Sequence, residues 1–204
     1  MKPRYLALLV AASAAAVVVI VVAAGRARDD AGRPATQSAP ASRFAGSEVP
    51  AGLRAPAFSL HDENGRRVTR ASLAGRPVVV LFLSTRCRVA CLLAANQVKG
   101  ALDDLRRPAG AVAVSVNPAA DTAPAARRLV GQLGMRGRLH FLLGSRRQLG
   151  RVWRGFGIDP RRQLDERRAR LVLLDPRGRQ RVGFPLSQAT PERIAHDLRI
   201  LGAE

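Results

Sequence analysis

Cys87 and Cys91 are the only two cysteines in the 204-residue chain. They bracket Arg88-Val89-Ala90 shortly after the apolar run Val78 to Leu83. If a helix begins at the first cysteine, the four-residue spacing puts both sulfurs on one face, with Cα atoms about 6 Å apart and within disulfide reach. Such a pair can close a bridge or hold a soft metal ion. A helix N-terminus and the flanking Arg86 and Arg88 favour thiolate over thiol, the condition for nucleophilic sulfur chemistry. One structural disulfide, or two small core residues, are the plainer readings. The active dithiol ranks ahead of them because a staple stabilises mainly by closing a long loop, and this loop is very short.

The elements around the pair predict how it is held. Val78 to Leu83 is a continuous apolar, β-branched run, the pattern of a central parallel strand buried on both faces. After Cys91, the residues Leu92, Leu93, Ala95, Val98, Leu102 and Leu105 recur near helical spacing and predict a helix of about 18 residues. Ala111 to Val116 and Leu139 to Leu143 read as further strands, separated by a helix that Asp121-Thr122 starts and that runs to about Leu133. Ser145 caps a short helix carrying Leu149, Val152 and Trp153. Leu171 to Leu174, the turn Asp175-Pro176-Arg177-Gly178, and Val182 to Phe184 make a closing hairpin, and Pro191 to Leu201 a terminal helix. Upstream, Phe58-Ser59-Leu60, a turn at Glu63-Asn64-Gly65-Arg66 and Val68 predict a short hairpin. The order implies a mixed α/β sheet covered on both faces. The cysteines then sit at the carboxyl end of a central strand, where open α/β sheets place their ligands, as in thioredoxin-like folds.

Three segments follow from composition. Residues 1–25 contain the apolar stretch Tyr5 to Ala24, long enough to cross a hydrocarbon core of about 30 Å as a helix. It is a transmembrane anchor or a signal segment, and its length favours the uncleaved anchor. Residues 26–52, rich in Ala, Pro and Ser, read as a flexible linker, and residues 53–204 as the folded domain. A cysteine pair with no other thiol suits an oxidising compartment, so the domain is expected outside the cytoplasm on a single-pass cell-membrane anchor. Formal net charge is +19, yet the arginines are dispersed and no aromatic-interleaved basic motif appears, so nucleic acid is not the expected partner. Anionic lipid headgroups beside the anchor fit the charge better.

Four stretches together make the chain resemble the SCO/SenC family. They are Phe58-Ser59-Leu60 with Asn64-Gly65, the C-x-x-x-C of Cys87 and Cys91 after Leu81-Phe82-Leu83, Ser115-Val116-Asn117-Pro118 with Asp121-Thr122, and Leu174-Asp175-Pro176-Arg177-Gly178. They span residues 54 to 201. The resemblance implies a thioredoxin-like fold, copper delivery and thiol redox control in cytochrome c oxidase assembly. It also implies Cys87 and Cys91 as copper ligands and redox pair, and an oxidase copper-centre subunit or thiol-redox protein as partner. The extracytoplasmic placement follows from it too. Reductases of the C-x-x-C type carry a proline before the late strand; that slot is Ala169 here.

The departures from the family pattern are specific. The family's first cysteine is followed by Pro and Asp and its second by Pro, where this chain has Arg88, Val89 and Leu92. The position of the family's third copper ligand, a histidine, is Arg167, whose guanidinium has no lone pair to give. His61, His140 and His196 are poor substitutes: the first lies near the hairpin turn, the second begins a strand, and the third sits off the apolar face of the last helix. Two thiolates alone still hold Cu(I), whereas Cu(II) wants added nitrogen or oxygen ligands. Arg161, Arg162, Arg167, Arg168 and Arg170 form a basic stretch that the resemblance places near the dithiol. It is a solvated loop, or else it lowers the thiolate pKa and captures an acidic partner.

Three function classes remain. The first is a membrane-anchored dithiol protein of SCO type that exchanges disulfides and carries Cu(I), with Cys87 the more reactive sulfur because it is nearer the helix start. The second is a thiol peroxidase, for which Ser84 is correctly spaced before Cys87 but Val80 occupies the expected proline slot. The third is a scaffold that keeps the fold and a static disulfide without copper.

Overall fold

A six-residue strand with no polar side chain has only one stable place, the middle of a sheet with both faces covered. In the computed structural model, which describes residues 42–86, 89–161 and 170–204, Val78–Leu83 (β4) occupies that place and is buried at every position. The elements before it are Ser47–Glu48 (β1), Ser59–His61 (β2) and Arg67–Thr69 (β3). After it come a helix over Val89–Asp103 (α1), Gly110–Ser115 (β5), a helix over Ala123–Gln132 (α2), Leu139–Leu142 (β6) and a helix over Arg146–Gly155 (α3). Arg170–Leu174 (β7), Gln180–Pro185 (β8) and a helix over Pro191–Leu201 (α4) complete the chain.

The six-stranded sheet has the order β1-β8-β7-β4-β5-β6. β4, β5 and β6 are parallel, and β7, β8 and β1 continue the sheet antiparallel. This is the mixed α/β sheet expected from the sequence. Side chains alternate across β4. Val79, Leu81 and Leu83 enter one core with Ala94, Ala95, Val98, Leu129, Ile194 and Leu198 from α1, α2 and α4. Val78, Val80 and Phe82 enter a second core with Leu149, Val152 and Trp153 of α3 and Leu60 of the small β2–β3 sheet. Phe82 and Phe156 meet edge-on at 5.3 Å between ring centres. Trp153 and Phe156 are therefore core packing, as their spacing implies.

The helices begin where the sequence provides caps. Thr122 accepts the Ala125 amide, Thr190 accepts the Arg193 amide, and Ser145 with Gln148 forms a full capping box. Two features differ from expectation. α1 is 15 residues long, because its second half stops at the Leu105-to-Pro108 turn instead of continuing the apolar period. The compact unit also begins at Ser42, so Ser42 to Gly52, read from composition as linker, belongs to it. The fully buried Asp197 on α4 accepts the Ala45 and Gly46 amides at 2.7 and 2.9 Å and steers the chain into β1. Only glycine fits at position 46, since a Cβ there would lie 2.5 Å from Val182 and 2.7 Å from Phe184. Among the described residues no helix is long and apolar enough to cross a membrane; Tyr5 to Ala24 lie outside them.

The β7–β8 turn rests on one acid. The Asp175 Oδ1 accepts the Arg177 and Arg179 amides, both at 2.9 Å, and its Oδ2 accepts Arg179 Nε at 2.6 Å. Gly178 closes the turn at φ +73°, a conformation that favours glycine. Burial pushes the Asp175 carboxyl up, but the amide bonds and the Arg179 guanidinium outweigh it and hold the pKa below the ordinary 3.8. A depressed folded pKa means stability present above about pH 4 and lost as the pH falls through the lowered value. Asp175→Asn is expected to lower unfolding stability by about 1.5–3 kcal/mol at pH 7. Denaturant titration at pH 7 and pH 2 checks this, because the gap between wild type and variant should narrow in acid.

Candidate functional site

The C-terminal end of β4 is where the chain places its chemistry. Leu83 pairs with Ser115 of the parallel β5, so the loops that follow the two strands leave the sheet side by side. From β4 come Ser84, Thr85 and Arg86, and α1 starts at Val89, with Cys91 as its third residue. The structure thus puts the Cys91 backbone in the first turn of the helix that follows the central strand, as the spacing predicts. Cys87 lies outside the described residues, together with Arg88, Arg162, Arg167, Arg168 and Ala169.

One buried carboxylate organises this end of the sheet. Asp121, in the loop between β5 and α2, is 6 % exposed. Its Oδ1 accepts Ser84 Oγ at 3.0 Å, the Thr85 amide at 2.7 Å and Thr85 Oγ1 at 2.7 Å. Its Oδ2 accepts Ser115 Oγ at 2.6 Å and the Asn117 amide at 3.3 Å. Five donors on one anion are charge-assisted hydrogen bonds, roughly twice as strong as neutral ones. The Arg86 amide then donates to Ser84 Oγ at 3.3 Å, which carries the constraint to the residue before Cys87. From the opposite face of the sheet, Trp153 Nε1 donates to the Ser115 carbonyl at 3.0 Å. The Ser84 hydroxyl proton is thereby directed to Asp121. The spacing that made Ser84 a peroxidatic candidate has a structural use instead.

Among the described residues, the start of α1 exposes apolar side chains. Val89, Leu92 and Leu93 are 69 %, 38 % and 54 % exposed, and with Leu53 they are the large hydrophobic side chains exposed among the described residues. The sequence period had placed Leu92 and Leu93 in the core stripe of the helix. The buried stripe is Ala94, Ala95, Val98 and Ala101, and at 100° per residue positions 92 and 93 fall outside it. No acidic residue lies in the first turn of α1, so nothing there offsets the partial positive charge of the helix start.

The three histidines have settings of their own. His140 on β6 pairs with Val112, which pairs with Val80, three residues short of Leu83 and two strands away. His196 Nε2 sits 3.1 Å from the Arg43 carbonyl, and His61 ends β2 in the small sheet. His61 is also bridged to Leu143, just past the end of β6. What the sequence hid was the clamp. Asp121 reads as the acid ahead of a Thr-capped helix, and its partners lie up to 37 residues away. Asp121→Ala leaves the buried Ser84 and Ser115 hydroxyls without their acceptor. It is expected to destabilise the fold by about 2–4 kcal/mol. Amide hydrogen exchange checks the local effect: Thr85 and Asn117 should lose more protection than the middle of β5.

Comparison with known proteins places this arrangement. The family model SCO1/SenC matches residues 48–201. No curated protein matches the chain in sequence. Among solved structures, Bradyrhizobium japonicum ScoI with copper bound is 25 % identical, with 72 % of this chain and 99 % of that one covered at a TM-score of 0.57. The apo Sco1 protein of Thermus thermophilus is 21 % identical, covering 78 % of this chain and 96 % of that one at 0.64. BsSco, a member of the Sco family of cytochrome c oxidase assembly proteins with an identified disulfide switch, is 17 % identical over 77 % and 98 % at 0.63.

Proposed function

Because this chain belongs to the SCO1/SenC family, we propose that it is a membrane-anchored, extracytoplasmic dithiol protein. It exchanges disulfides through Cys87 and Cys91 and carries Cu(I) as cargo during assembly of an oxidase copper centre. The observation that carries this reading is the first turn of α1, which sets Cys91 at the mouth of the sheet behind a loop fixed by Asp121. In the exchange, the Cys87 thiolate attacks one sulfur of a partner disulfide and forms a mixed disulfide. The Cys91 thiolate then attacks the Cys87 sulfur and breaks the mixed disulfide, so Cys87–Cys91 becomes the disulfide and the partner leaves as a dithiol that takes up the two protons the cysteine thiols released. Two electrons pass from this chain to the partner. The residues Tyr5 to Ala24 are the proposed anchor.

The donor set fits Cu(I) and not Cu(II). The two sulfurs suit a soft ion of low coordination number. By the family resemblance the slot of a third, histidine ligand corresponds to Arg167, which has no lone pair to give. Copper binding and disulfide formation then compete for the same two atoms. The partner is a protein, because Val89, Leu92 and Leu93 offer a sulfur-flanking apolar surface of the kind that partner docking buries.

Two measurements test this. Titration of the reduced full-length chain should give one Cu(I) per chain and negligible Cu(II), and Arg167→His should gain Cu(II). Absence of Cu(I) uptake, or its survival in Cys87→Ser/Cys91→Ser, overturns the copper reading. Leu93→Ser should leave the folded chain and its Cu(I) affinity unchanged while slowing thiol exchange with the oxidase copper-centre subunit about fivefold. That corresponds to about 1 kcal/mol of lost apolar burial, and stopped-flow exchange kinetics measure it.

A further inference from the structure

The turn between β2 and β3 folds two acids inward. Asp62 and Glu63 are 2 % and 3 % exposed, although carboxylates in a hairpin turn ordinarily face water. Asp62 Oδ1 accepts the amides of Asn64 and Arg66 at 2.9 and 2.8 Å. Glu63 Oε1 accepts Asn64 Nδ2 at 2.9 Å, and its Oε2 accepts the Phe141 amide at 2.8 Å on β6, the edge strand of the sheet. Arg127 of α2 donates to the Glu63 backbone carbonyl at 2.7 Å, not to a carboxylate. Among the described residues no arginine or lysine makes an ion pair with either acid.

His140 completes the cluster. Its Nδ1 is shut off from solvent and has no hydrogen-bond partner. It lies 3.4 Å from Asp62 Oδ2 without the alignment a hydrogen bond requires. One ligand atom from each of Asp62, Glu63 and His140 falls within 4.8 Å of the others. Both carboxylates keep one or more lone pairs beyond their amide donors, and with the orphaned ring nitrogen they converge on a point that a cation would satisfy.

We propose that Asp62, Glu63 and His140 form a binding site for a divalent cation of the zinc class, which pins the β2–β3 hairpin to the edge of the sheet. Ligand distances of about 2.0–2.2 Å are reached by small rotations of these side chains. One imidazole and two carboxylates without sulfur suit Zn²⁺ or Mn²⁺ and not Cu(I). Two negative charges match one dication. The backbone amides on Asp62 and Glu63 orient the carboxylates as outer-shell donors do at established metal centres. The cation adds to a link already present, the pair of bonds between His61 and Leu143 at 3.1 and 2.8 Å. The proposed ligands include neither cysteine.

The test removes the thiols first. Full-length Cys87→Ser/Cys91→Ser, stripped with a chelator, is titrated with Zn²⁺ and with Co²⁺. Expected are one Zn²⁺ per chain, a Co²⁺ spectrum without sulfur charge-transfer bands, and a melting temperature raised by Zn²⁺. Adding His140→Gln should reduce Zn²⁺ affinity at least 100-fold. Unchanged affinity in that variant, or no uptake by its parent, overturns the proposal. If the His140→Gln variant does not fold, ring ¹⁵N shifts decide in the parent: Zn²⁺ should move the His140 Nδ1 resonance, and a stationary resonance overturns the site.

Discussion

The candidate site depends on one electrostatic constraint, the Asp121 carboxylate with five donors on two oxygens. An anion at this depth is tolerated only when its lone pairs are filled. Filling them draws together the end of β4, the end of β5 and the loop before α2. Every donor that satisfies Asp121 is therefore also a restraint on where α1 begins. Trp153 adds a third element by donating to the carbonyl of Ser115, whose hydroxyl binds the same anion. The segment from Ser84 to Arg86, which leads to Cys87 in sequence, is thus tied to elements on both sides of the sheet.

Much of the fold was legible because it rests on patterns of burial. β4 and β5 are unbroken apolar runs and became central strands; Ser145 and Thr122 read as helix starts and became caps. β1 was not legible, since a two-residue strand carries no period and is fixed by Asp197 across 151 and 152 residues of sequence. Nor was the burial of Asp62 and Glu63, because turn acids are ordinarily solvated and the sequence does not announce that the Phe141 amide needs an acceptor. In the candidate site, the cysteine spacing and its place after a buried strand could be read directly. The Asp121 network and the exposed face of Val89, Leu92 and Leu93 could not. The first is long-range, and the second turns on a rotation of less than half a helical turn.

The departures from the family pattern have a common physical direction. If, as the resemblance implies, position 167 is the family's histidine slot, a guanidinium there gives no ligand and adds a fixed positive charge. Replacing proline by Leu92 adds apolar surface in the first turn of α1 and restores an amide to it. Both changes move a site away from holding an oxidised metal ion and toward holding anionic sulfur beside a protein surface.

Trp153 is the single tryptophan of the chain, and its indole nitrogen is bonded to the carbonyl of Ser115, which pairs with Leu83 where β4 hands over to the loop of Ser84 to Arg86. The molecule thus contains its own optical gauge. Its emission wavelength and intensity will track the packing under that loop, so interconversion of reduced, oxidised and metal-loaded forms can be followed in real time without an attached dye.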